Sequence, residues 1–189
     1  DGPSHHGMQD TQAMMTIPNL QVYNVTDDVN SRKLSDLGYH EPGPKYFRIE
    51  KGKYDRLYTE DYDITTGMKK LKDFDKTVII STGYMTHTAL EVAKRFDDVG
   101  VIDIFRVKPL DQERLLSLVG SAENIISLEE TTYSGGMGEK IGFFMAKHNL
   151  HRRFLPIAVE DQYCFFYGER ELLHKRYSID VESVYSRMA

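Results

Sequence analysis

The 189-residue sequence holds a single cysteine, Cys164, and no tryptophan. One thiol excludes an internal disulfide framework and a cysteine-built zinc site, and it points to a reducing, cytoplasmic setting. Positive charge is also short: 24 Lys and Arg stand against 29 Asp and Glu, for a net charge of -5. Without a basic field, a binder of the nucleic-acid backbone is not expected. No apolar run reaches the roughly 20 residues that span a bilayer, and no signal-peptide pattern opens the sequence. What is present is ordinary for a globular chain: 40% apolar and 28% charged residues, which argues against wholesale disorder. The length suits one full α/β domain plus a fragment.

Along the chain the pattern divides in three. Residues 1–50 open on Asp1-Gly2-Pro3-Ser4-His5-His6-Gly7, a Gly-Pro turn followed by small and polar residues. An independent domain seldom begins with adjacent histidines in such a loop. The expectation is a chain that starts inside a larger domain, with the scar of a tag as the other reading. A helix over residues 9–16 stopped by Pro18 follows, then a half-buried strand over 20–25. Next come a helix capped by Asp27 or Asp28 and closed by Gly38, and a second strand over 45–49. These elements are too few to cover both faces of a sheet, so further chain or a partner is expected to complete them. Residues 51–75 are charged and tyrosine-rich with little period, and read as a connector holding one short hairpin.

In residues 76–189, strand and helix alternate. Val78-Ile79-Ile80-Ser81, Val101-Ile102-Asp103-Ile104-Phe105, residues 124–128 and residues 155–159 read as strands, the first a continuous apolar run of the kind buried on both faces. Between them lies a helix capped by Thr86 or Thr88, the latter forming a capping box with Glu91, and with an inner face of Ala89, Val92, Ala93 and Phe96. A second helix is capped by Asp111, a third is entered through Gly135-Gly136-Met137-Gly138, and of two short helices that follow, the second is capped by Asp180. The fold class is therefore α/β, a mostly parallel sheet flanked by helices and joined by right-handed crossovers.

The opening Asp1-Gly2-Pro3-Ser4-His5-His6-Gly7, with Ile17-Pro18-Asn19-Leu20 one helix later, resembles the thiamine-diphosphate-dependent transketolase family, which includes 1-deoxyxylulose-5-phosphate synthase. Gly43-Pro44-Lys45-Tyr46-Phe47-Arg48 is similar to the family's Gly-Pro-x-Tyr-x-Arg strand. Ser81-Thr82-Gly83, Ile102-Asp103, Lys108-Pro109-Leu110-Asp111, Leu128-Glu129-Glu130 and Gly135-Gly136-Met137-Gly138 are similar to its C-terminal domain. The resemblance implies the last part of a pyrimidine-binding domain in residues 1–50, a connector in 51–75 and a transketolase C-terminal domain in 76–189. It implies a complete enzyme using thiamine diphosphate and Mg²⁺, a sugar phosphate or keto acid as substrate, and a homodimer. The family's Gly-Asp-Gly metal motif and the segment with the glutamate that contacts the aminopyrimidine are absent from these residues. No cofactor or metal is therefore expected to bind this chain alone, and it is expected to be inactive without a separate N-terminal portion or subunit.

The resemblance places His5 in the substrate channel near the cofactor's reactive carbon, as a catalytic and substrate-binding group. Imidazole suits proton transfer to ketose oxygens near neutral pH. His6 is a second substrate-binding candidate, able to hold a phosphate by a charge-assisted hydrogen bond; solvent-exposed loop histidines are the bland reading of both. Arg48 is expected either at the mouth of the site, pairing with a substrate phosphate or carboxylate, or in a surface ion pair. Gly135, Gly136 and Gly138 suit a tight turn packing helix on sheet better than an anion site, since no Gly-x-Gly-x-x-Gly is present. Glu129 and Glu130 read as a helix cap or a domain contact. His148 and His151, beside Arg152 and Arg153, read as a solvated basic patch, His87 and His174 as exposed helix residues, and Cys164 as a buried inert thiol. Many relatives carry an arginine just before the Ile-Pro-Asn run, where this sequence has Met14-Met15-Thr16. Two other assignments stand beside a ketol- or acyl-transferring enzyme part: the beta-type subunit of a 2-oxoacid dehydrogenase, and a non-catalytic assembly or regulatory domain.

Overall fold

The computed structural model describes residues 5–52 and 54–189; the first four residues of the opening loop lie outside them. In chain order the elements are α1 (Asp10–Met15), β1 (Gln21–Asn24), α2 (Asp28–His40), β2 (Lys45–Arg48), a 3-10 turn (Ile64–Thr66), β3 (Met68–Lys72), β4 (Thr77–Ser81) and α3 (Met85–Ala93). They continue with β5 (Val99–Ile104), β6 (Arg106–Lys108), α4 (Gln112–Val119), β7 (Asn124–Thr132), α5 (Met137–Lys147), β8 (Arg153–Val159), α6 (Arg170–Arg176) and α7 (Val181–Met188).

Two sheets result. The larger has the order β3-β5-β4-β7-β8, with β4, β5, β7 and β8 parallel and β3 antiparallel to β5. The smaller has the order β2-β1-β6, with β1 and β2 parallel and β6 antiparallel to β1. Only Phe105 separates β5 from β6, so one extended segment runs from the larger sheet into the smaller.

The side chains of β4 explain the layering. Val78 and Ile80 face a core made with Leu115, Ile141 and Phe144, from α4 and α5. Ile79 faces the opposite side, with Met85, Ala89 and Val92 of α3 and Val184 of α7. A strand buried on both faces needs apolar residues at every position, and this one has them. A third cluster, with Tyr23, Leu34, Tyr58, Tyr62 and Phe105, fills the space between the smaller sheet, α2 and the connector.

Several expectations change on contact with tertiary structure. The connector forms no hairpin among its described residues; it contributes the 3-10 turn and the edge strand β3, whose Met-Lys-Lys-Leu-Lys sequence suits an exposed edge. α2 runs through Gly38 to His40. Gly38 serves close approach instead of termination, because a β-carbon there would lie 3.0 Å from the Phe47 ring. α3 begins at Met85, a turn earlier than the expected Thr88–Glu91 box, and Thr88 is buried within the helix. Asp27, Asp111 and Asp180 cap α2, α4 and α7 as their positions suggest, each accepting backbone N–H bonds.

Candidate functional site

The turn holding His5 and His6 leads into α1. His5 is exposed; His6 is half-buried, and its Nδ1 is shielded from solvent with no hydrogen-bond partner among the described residues. Asp10, in the first turn of α1, connects this segment to the smaller sheet. Tyr46 of β2 donates its hydroxyl to Asp10 Oδ2 at 2.6 Å, and Arg48 Nη1 lies 3.5 Å from Asp10 Oδ1. Burial and the Asp10 bond push the Tyr46 hydroxyl up to about 12.

Arg48 is the centre of a larger ionic cluster. Its Nε donates to Glu50 Oε1 at 2.8 Å, and its Nη2 lies 3.5 Å from Glu130 Oε2, at the end of the larger sheet. Glu130 Oε1 also takes Arg170 Nε at 3.2 Å and His174 Nε2 at 2.7 Å. Arg170 pairs in addition with Glu50 and stacks 4.3 Å over the Tyr84 ring. Two guanidiniums thus face three carboxylates, drawn from α1, β2 and its flank, β7 and α6. Burial alone would raise the Glu130 carboxyl, but the His174 bond and the charges of Arg170 and Arg48 outweigh it and hold the group down at about 2. Arg48 also rises: burial opposes its charge, and Glu50, Glu130 and Asp10 overcome it. The cluster ties residues 10–50 to the helices that follow β8. Arg48 keeps two contacts longer than a normal hydrogen bond, and a phosphate or carboxylate displaces these more easily than the short bond to Glu50.

Glu129 works differently from its neighbour. Its side chain turns to the start of α5 and accepts from Met137 N at 2.9 Å, Gly138 N at 2.7 Å and Thr131 Oγ1 at 2.7 Å. Burial nevertheless raises its pKa, against the pull of those bonds. A β-carbon at Gly136 would fall 2.7 Å from both Glu129 oxygens and from Thr132 O. The glycine run therefore lets a carboxylate occupy a helix start, and the N–H groups of Met137 and Gly138 are already used by Glu129.

A third polar centre had no place among the sequence candidates. Asp103, the sole charge in the run Val101-Ile102-Asp103-Ile104-Phe105, is fully buried at the end of β5. Thr26 Oγ1 and Tyr58 Oη donate to its Oδ2 at 2.7 and 2.6 Å, and Thr86 Oγ1 to its Oδ1 at 2.7 Å. Desolvation dominates and pushes the carboxyl up to about 6, although all three hydroxyls oppose it. The donors come from the first segment, the connector and α3, so Asp103 joins all three parts. Its sequence signals were a lone acid inside an apolar strand and the Ile102-Asp103 pair similar to the family's C-terminal domain.

The remaining histidines differ from expectation in part. His174 is buried against Glu130 and the Tyr84 ring, and His87 is half-buried with Nε2 2.9 Å from Thr26 O. The exposed-helix reading fails for both because α3 and α6 turn these residues toward the connector and β7. His148 packs on Phe144, while Arg152 reaches back to the carbonyls of Gly120 and Ala122 after α4. Cys164 is buried.

Among the described residues no three His, Cys, Asp or Glu side chains converge as a metal site, and the α5 start is filled by Glu129. No helix among the described residues is long and apolar enough to cross a membrane.

The family model described as the transketolase C-terminal domain matches residues 67–184, and that of the transketolase pyrimidine binding domain matches residues 1–56. The 1-deoxy-D-xylulose-5-phosphate synthase of Hahella chejuensis is 29% identical over 97% of this chain and 29% of its own length. One of the subunits of the apulose-4-phosphate transketolase of Actinobacillus succinogenes is 23% identical over 96% of this chain and 60% of its own. Among solved structures, a split-gene transketolase described as an inactive beta4 tetramer superposes with a TM-score of 0.86 at 24% identity, over 97% of this chain and 61% of that one. The transketolase of Campylobacter jejuni gives 0.75 at 17% identity, over 100% of this chain and 29% of that one. The chain spans less than two thirds of each of these proteins.

Proposed function

The chain belongs to the transketolase family, whose complete enzymes depend on thiamine diphosphate, and from that premise we propose that it is the C-terminal portion of an enzyme transferring a two-carbon ketol or acyl unit between sugar phosphates or keto acids. In this reading residues 1–50 are the end of a pyrimidine-binding domain, 51–75 a connector and 76–189 the C-terminal domain. Thiamine diphosphate and Mg²⁺ are held by a separate N-terminal portion or subunit, the chain alone is inactive, and the assembled enzyme is a homodimer.

The observation that carries the reading is the linkage of the histidine turn to Arg48 through a single acid, Asp10. It supports an arrangement in which His5 moves a proton at a substrate carbonyl or hydroxyl oxygen, and His6, with its unsatisfied Nδ1, receives a second substrate hydroxyl. Arg48 then exchanges its long contacts to Asp10 and Glu130 for a substrate phosphate or carboxylate. Cofactor chemistry is supplied from outside this chain, whose own task is to orient the substrate and place its protons.

The test is made on the complete assembly, with this chain joined to a cofactor-binding portion. His5→Ala is expected to lower kcat/KM by about 10²–10⁴. Arg48→Ala is expected to raise KM for a phosphorylated substrate more than for its unphosphorylated analogue. An assembly in which His5→Ala turns over normally would remove that residue from the site.

A further inference from the structure

A groove of about 540 Å³ lies on the molecule between α1, the loop that follows β6 and the start of α5. That volume falls in the range of small-molecule sites, roughly 300–1,000 Å³. Its walls are apolar in part: Met15, Leu110 and Phe143 line it, and Phe143 is 66% exposed.

Two polar groups in the groove are unused. Gln12 lines it while only 8% exposed. Its Nε2 donates to Thr132 O at 2.9 Å, but its Oε1 is buried with no partner among the described residues. A buried amide oxygen left without a donor is destabilising. Lys140, one turn into α5, also lines the groove, and among the described residues its ammonium forms no hydrogen bond or ion pair. Its ammonium is held down first by burial and then by the charge of Lys108. Lys108 is itself committed to the carbonyls of Met15 and Ile17. The acid that shares the groove, Glu139, accepts from Gly135 N at 2.9 Å and is directed to the turn.

We propose that this groove binds a small organic anion: a carboxylate or phosphate on Lys140, a hydroxyl or amine hydrogen donated to Gln12 Oε1, and an apolar or aromatic body against Phe143, Leu110 and Met15. The attraction of the anion offsets the two conditions that disfavour the lysine charge, its burial and the neighbouring Lys108. The donor satisfies an amide oxygen that the fold leaves without a partner among the described residues, and the body covers the phenylalanine. None of these residues belongs to the Arg48 cluster, so the groove stands or falls separately from the function proposed above.

Three probes of one shape separate the contributions: 4-hydroxybenzoate carries both anion and donor, benzoate the anion alone, and phenol the donor alone. Binding to the 189-residue chain is followed by titration calorimetry and by backbone amide shifts. For about ten heavy atoms, 4-hydroxybenzoate is expected to bind with Kd on the order of 1 mM. Shifts are expected at residues 135–143 and at Gln12. Benzoate and phenol are each expected to bind about tenfold more weakly. Lys140→Met should weaken 4-hydroxybenzoate about tenfold and leave phenol unchanged, while Phe143→Ala should weaken all three probes; circular dichroism confirms that both variants fold. Equal affinity for the three probes, an unaltered Lys140→Met affinity, shifts elsewhere on the surface, or no saturable binding would each overturn the proposal.

Discussion

Replacing Asp103 by Asn separates the cost of burying a carboxylate from the value of its hydrogen bonds. The side chain is fully buried and its pKa stands at about 6 against an ordinary 3.8. At a pH below the unfolded value, both states carry the proton and the group adds nothing unfavourable. As pH rises from about 4 to about 6, the unfolded chain releases its proton first, the folded chain binds more, and stability falls. Above about 6 the loss is complete, and the gap between the two values corresponds to about 3 kcal/mol. Asn keeps the shape, does not titrate, and still accepts from a hydroxyl; the other hydroxyls of Thr26, Tyr58 and Thr86 can rotate to accept from its amide. Urea unfolding of both proteins from about pH 3.5 to about pH 7.5 provides the measurement. With a slope of about 2 kcal/mol per molar urea, the midpoint of the natural protein relative to Asp103→Asn should fall by about 1.5 M across this range. Groups common to both proteins cancel in the difference. A midpoint difference that stays flat, or that moves in favour of the natural protein as pH rises, would refute the reasoning.

The ionic cluster predicts the opposite pH dependence. Glu130→Gln strips a shared partner from Arg48, Arg170 and His174 and should cost about 3–5 kcal/mol at pH 7. Because the Glu130 carboxyl sits low, at about 2, its contribution is present above the ordinary value and lost as pH falls through about 2; denaturant unfolding should show the Gln penalty shrinking toward that limit. Gly136→Ala drives a methyl to 2.7 Å from the Glu129 oxygens and Thr132 O. It should destabilise by about 1–3 kcal/mol, seen as a Tm lower by roughly 2–4 °C per kcal/mol.

The parallel core was readable because its strands are buried on both sides and so carry unbroken apolar runs; Val78-Ile79-Ile80 needed no pairing information to be recognised. β3 and β6 were not, and for one reason. Met68-Lys69-Lys70-Leu71-Lys72 and Arg106-Val107-Lys108 are polar, and their strand conformation is imposed by neighbours distant in sequence. The last three residues of α2 escaped because Gly38 has a packing role that looks identical to a stop signal. The same divide separates the parts of the site. His5, His6 and Arg48 stood out by motif, and the adjacent acids Glu129 and Glu130 by composition. Arg170, between two glutamates at the start of a short helix, and His174, in its basic last turn, gave no sign that they close onto Glu130. Only the tertiary fold brings α6 beside β7 and the flank of β2.

The passage of residues 99–108 from one sheet into the other sets how the molecule can be divided. This ten-residue rod is woven into both layers, with Asp103 and Phe105 at the crossing. A protease nick in the 51–75 stretch would sever the covalent path yet leave the pieces clasped, because β6 keeps its grip on β1. Splitting the chain there for separate expression would deprive β1 and β2 of their third strand and leave a sticky margin on each fragment.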